Sequence, residues 1–109
     1  MEYVKASACR GSRERRRLVP TYVSLLNFTD QGIRTVRDTL DRAERATEMA
    51  QKHGANMSQV YWTVGLYDLV LITEAPDEQS ATAFLLEAAS LGNIRSTTLR
   101  AFDRQYVQG

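Results

Sequence analysis

Apolar and polar positions are most sharply organised over residues 60–73, where two apolar runs flank Gly65-Leu66. The pattern predicts a hairpin with a two-residue turn at that dipeptide. Pairing its arms sets Val64 against Tyr67, Thr63 against Asp68, Trp62 against Leu69, Tyr61 against Val70 and Val60 against Leu71. Opposed residues share a face of a sheet. One face then carries Val60, Trp62, Val64, Tyr67, Leu69 and Leu71, and reads as core. The other carries Tyr61, Thr63, Asp68, Val70 and Ile72, a mixed set too apolar for bulk water.

The rest of the chain supplies partners for this hairpin. Residues 21–28 alternate and are rich in β formers, as a first strand requires. Thr29 or Asp30 is placed to cap a helix. Ile33, Val36, Leu40, Ala43, Thr47 and Ala50 then recur at steps of three and four, predicting one buried helical face that ends at Gly54. At roughly 1.5 Å per residue, 31–53 would span about 35 Å. That exceeds a typical strand of about 17–20 Å, so a short helix and a longer one are expected, with a break near 37–41. Asp77 caps a further helix behind Pro76, with Glu78 in its first turn. Its buried face is Ala81, Phe84, Leu85, Ala88 and Leu91, and Gly92 stops it. Residues 94–102 form the last strand, and 103–109 read as a short polar tail.

The order β-α-β-β-α-β is the split arrangement of ferredoxin-like folds. The predicted class is α+β, a four-stranded antiparallel sheet with helices on one face. The other face, bearing Tyr61, Val70 and Ile72, would leave an apolar patch of the kind that marks an interface. A second copy packed face to face covers it most economically, so a homodimer of the dimeric α/β-barrel type is expected.

Composition adds limits. The chain has 109 residues, 43% hydrophobic and 25% charged, as in an ordinary globular domain. The single cysteine, Cys9, excludes an internal disulfide framework and a cysteine-based zinc site. No apolar run reaches the length of a membrane span. The net charge of +1 conceals a split: residues 1–18 carry +4 and the remainder −3. The basic segment 1–18 has no hydrophobic period and reads as an unstructured extension ahead of a domain at 19–109. Its other readings are a nucleic-acid or membrane arm, or a leader upstream of a true start at Val19. No nucleic-acid surface is expected on the mildly acidic domain, and no membrane association. The expected location is the cytoplasm.

Several blocks of the domain resemble the GYD-domain family of small bacterial and archaeal proteins. They are Tyr22-Val23-Ser24-Leu25, Phe28-Thr29-Asp30-Gln31-Gly32-Ile33, Tyr61-Trp62-Thr63-Val64-Gly65-Leu66-Tyr67-Asp68, Glu74-Ala75-Pro76-Asp77 and the run 90–102. The resemblance spans nearly the whole body, and residues 1–18 lie outside it. It implies the ferredoxin-like, dimeric-barrel architecture and leaves the function to be read from a site.

Candidate chemistry is sparse. Asp68 is the most interesting carboxylate, placed beside Thr63 and Tyr61 on the mixed face. It reads either as a ligand anchor or general base, or as a turn-proximal acceptor bonded to backbone or to Arg100. If there is a small-molecule pocket, it is expected at the hairpin end between the helix layer and the dimer seam. Tyr61, Thr63 and Asp68 would line it, with Arg100 as counter-charge. Tyr67 and Trp62 read as core. His53, the only histidine, sits where a cation suits a helix C-terminus. No metal set, phosphate loop or cofactor motif is present. The leading reading is a small-molecule binding or sensing module acting as a homodimer. The alternative is a cofactor-independent enzyme of the dimeric-barrel type, a small oxygenase or isomerase, and a plain interaction module is a third.

Overall fold

The computed structural model describes residues 19–108; the basic segment 1–18 lies outside them. Four strands, β1 (Thr21–Phe28), β2 (Asn56–Trp62), β3 (Leu69–Glu74) and β4 (Ile94–Ala101), form one antiparallel sheet in the order β2-β3-β1-β4. Helices α1 (Asp30–Arg34), α2 (Thr39–Lys52) and α3 (Glu78–Ser90) lie in the crossovers, and a short α4 (Arg104–Gln108) follows β4. This is the expected α+β, ferredoxin-like class.

The hairpin keeps the predicted register, with Val60 opposite Leu71, Tyr61 opposite Val70 and Trp62 opposite Leu69. The Thr63 N–H still donates to the Asp68 carbonyl at 2.9 Å. The turn, however, is wider than the two-residue loop expected. Strand pairing ends at Trp62 and resumes at Leu69. The Asp68 N–H is drawn across to the Leu26 carbonyl of β1 at 2.8 Å, which pulls the chain out of the ladder before the tip. Val64, placed in the core by alternation, is fully exposed, and Tyr67 is only half-buried.

The faces separate as the alternation requires. Tyr22, Ser24 and Leu26 of β1 and Leu69 and Leu71 of β3 point under the helices and are buried. Val23, Leu25, Val70 and Ile72 lie on the opposite, helix-free face and are half-buried. An irregularity at Ser58 lets β2 serve the same core with an odd spacing. Met57 pairs with Thr73 while Gln59 pairs with Ile72, and the Ser58 hydroxyl donates to the Ile72 carbonyl. The extra residue brings Met57, Val60 and Trp62 to one side, which strict alternation forbids.

The helix after β1 breaks as expected, slightly earlier, through a 3-10 turn at Val36–Asp38. Thr29 caps α1, its hydroxyl accepting from the Gly32 N–H. Gly32 has to be glycine, since a Cβ would collide with the Asn93 carbonyl oxygen across the α1–β4 contact. The break changes which face is buried. Ile33, Val36 and Leu40 were expected inside, yet all three are exposed, Leu40 by 66%. A period read through residues 35–38 assumes continuous helical phase, and the tighter turn resets it. The inward residues of α2 are Ala43, Ala46, Met49 and Ala50.

The Asp77 carboxylate caps α3, accepting from the Ser80 N–H at 2.8 Å. That backbone bond holds its pKa below the ordinary value. Ala81 and Phe84 are buried as expected, while Leu91 is exposed. The supposed polar tail is α4, capped by Asp103 accepting from the Tyr106 N–H. At five residues it is too short to show a period.

Candidate ligand cavity

A cavity of about 260 Å³ lies between the helix layer and the hairpin end of the sheet. Leu26, Leu69, Leu71 and Val60 form its floor, and Phe84, Leu85, Met49 and Ala46 its roof. Its size follows from the side chains that meet there. Ala43 and Ala46 carry too little volume to fill the space across from Trp62, and the larger Ile33, Val36 and Leu40 face away.

Trp62 stands at the mouth, 44% exposed, although the alternation marked it as core. Its indole N–H donates to the Thr39 hydroxyl at 2.9 Å, tying the end of β2 to the start of α2. Arg42 lies beside it, with its guanidinium 5.9 Å from the Phe28 ring centre. One of its nitrogens donates to the Thr35 carbonyl and hydroxyl, both at 2.8 Å, and another to the Gly32 carbonyl at 3.2 Å. These bonds also satisfy carbonyls freed by the helix break. Arg45 is the other charged residue lining the cavity. Among the described residues, no carboxylate, histidine or cysteine lines it. The arrangement can hold an apolar body and meet a polar group at its rim.

The four residues singled out from the sequence do not converge. The Asp68 carboxylate accepts from the Phe28 N–H at 2.9 Å, so it pins the hairpin to β1. The Thr63 hydroxyl donates to the Tyr67 carbonyl inside the turn. Tyr61 stands on the helix-free face, its hydroxyl donating to the Gln59 side chain at 2.8 Å. Arg100 pairs with Tyr22, four residues up β1 from the Leu26 carbonyl that holds Asp68, or about 13 Å at ~3.3 Å per residue. Its guanidinium lies 4.4 Å from the centre of the Phe102 ring and 5.7 Å from that of Tyr22. It stacks on aromatics instead of serving as a counter-charge to Asp68. Residues at the cavity mouth, Thr39, Arg42 and Arg45, went unnoticed. Their signal is a pair of arginines at helical spacing beside the small Ala43 and Ala46, legible only once the phase of α2 is known.

Elsewhere the polar groups are structural. Glu87 of α3 receives the Lys52 ammonium at 2.8 Å and sits 2.7 Å from His53 Nε2, at the far end of α2. The bonds from Lys52 and then His53 hold its carboxyl below the ordinary range. Burial, with Glu78 nearby, raises the Tyr22 phenol. No group of three potential metal ligands occurs among the described residues, and no helix there is long and apolar enough to cross a membrane.

The family model of the GYD domain matches residues 22–108. The chain belongs to the GYD domain family. This GYD domain is 30% identical over 84 residues to a protein of Thermus thermophilus named glutamine synthetase and cystathionine beta-lyase binding protein. The match covers 76% of this chain and 88% of that one. The fold is also similar to a feast or famine regulatory protein of M. tuberculosis solved with L-methionine, with a TM-score of 0.60, 16% identity and 92% of this chain covered. The leucine response regulatory protein LrpA of Mycobacterium tuberculosis aligns with a TM-score of 0.60, 16% identity and 94% of this chain. The GYD domain spans 60% and 64% of those two solved chains. At such identities the likeness is one of fold.

Proposed function

We propose that this GYD domain is a small-molecule binding or sensing module that works as a homodimer. The cavity beneath Trp62 carries the reading: it is part-open, apolar-walled, and rimmed by a few fixed polar groups, as ligand sites are. The helix-free sheet face supplies the dimer surface. Val23, Leu25, Val70 and Ile72 form its centre, with Tyr61 and Leu99 about half exposed at its sides. Burying each such side chain fully is worth about 1.5–3 kcal/mol, and a two-fold copy matches the patch to itself. The fold likeness to a regulator solved with an amino acid is in keeping with this reading.

Trp62 is the only tryptophan, so its emission reports directly on the cavity. Titration with small apolar alcohols should shift that emission saturably. Emission that stays fixed across the series would remove the ligand reading. Sedimentation at micromolar concentration should give a dimer that Val70→Arg dissociates, because the variant buries an unpaired charge. A monomeric wild type would refute the assembly.

The name of the Thermus relative favours a second reading, a module that docks on metabolic enzymes. Co-sedimentation with a glutamine synthetase from the same cell tests it. Cofactor-independent catalysis finds less support, since no carboxylate, histidine or cysteine lines the cavity among the described residues.

A further inference from the structure

The geometry points to an amphiphile with an anionic head as the occupant of the Trp62 cavity: a small carboxylate with an apolar body. This rests on the reading above that the cavity takes a ligand, and adds its chemical class. The body follows from the size and lining of the cavity. A cavity of about 150 Å³ lined by aliphatic and aromatic side chains admits benzene, and the present one measures about 260 Å³. The head follows from charge. Among the described residues, the charged ones lining the cavity are Arg42 and Arg45, one turn apart on α2.

Neither arginine joins an ion pair among the described residues, where Lys52 and His53 take the one paired carboxylate, Glu87. Arg42 is held in place by Thr35 and Gly32, so its guanidinium is ordered at the rim before any ligand arrives. A guanidinium has five N–H donors, and those bonds leave donors to spare. Asn93 also lines the cavity, and its amide oxygen accepts from Gln31. A carboxylate there would accept charge-assisted bonds. An ammonium head on the same body would meet two like charges.

The test compares octanoate, octanol and octylammonium, which share a chain and differ in head charge, by Trp62 emission below their self-association concentrations. Octanoate should bind up to about fivefold more tightly than octylammonium at low ionic strength, the scale of a pair worth up to about 1 kcal/mol. The gap should close near 1 M salt, where the screening length falls to about 3 Å. It should also shrink in Arg45→Gln, whose exposed position leaves the fold intact, while octanol binds that variant as it binds wild type. Equal binding of the two ions, or tighter binding of octylammonium, would overturn the charge assignment and leave the cavity reading standing. If none of the three moves Trp62 emission, the cavity reading itself fails.

Discussion

The two ends of the helix–sheet interface are built differently. At the β1 N-terminal end, Ala50, Ala55, Ala75 and Ala81 are all buried beside Tyr22. At the hairpin end, Ala43 and Ala46 face Trp62 and Leu69 across open space. Alanine appears at both ends with opposite results. Where the helix can approach, a small side chain permits contact. Beside the Thr35–Asp38 break and the Trp62–Thr39 bond, the same side chain leaves a void. Small residues therefore predict close packing only when the backbone is free to follow.

Matched substitutions test this contrast. Ala50→Leu adds volume at the closed end and should cost about 1–3 kcal/mol. Each kcal/mol lowers the Tm of a domain this size by about 4–8 °C. An unchanged melting curve would mean that the closed end is not packed.

Asp68→Ala comes next. It strands the Phe28 N–H near the cavity end and should cost about 1–3 kcal/mol, read from urea unfolding. A negligible loss would show that packing, and not this hydrogen bond, holds the hairpin to β1. Asp68→Asn, which keeps an acceptor, should lose less.

Ala46→Leu puts the same added volume into the cavity. It should cost less than about 1 kcal/mol, or stabilise, because each buried CH₂ returns about 0.8 kcal/mol. It should also abolish the response of Trp62 emission to octanol. A loss as large as that of Ala50→Leu would erase the difference between the two ends.

The smallest effect concerns the surface tie above the closed end. Glu87 has a pKa depressed below its ordinary 4.5 by Lys52 and His53. Its contribution is therefore complete above that value and is lost as pH falls through the lower, folded one. Glu87→Gln should flatten the acid limb of the stability profile below about pH 4.5 and leave the ligand response unchanged. A variant with the wild-type acid limb would show that this pair does not help hold α2 to α3.

Local chemistry made much of the fold legible. The register of β2 and β3, the cap at Asp77, the stops at Gly54 and Gly92 and the covered face of the sheet all follow from turn residues and alternation. These are short-range constraints, satisfied within a few residues. The cavity was not legible, because it depends on the phase of α2 after its break and on its distance from a sheet distant in sequence. For the same reason Leu40 pointed outward against its period, and Trp62 became a rim instead of core. Asp68 likewise became a brace to β1 through the Phe28 N–H, a partner 40 positions away. The sequence by itself determined the elements, their order and the two faces of the sheet. Only tertiary structure decided which small residues close a gap and which leave one, since that depends on how closely two backbones can approach.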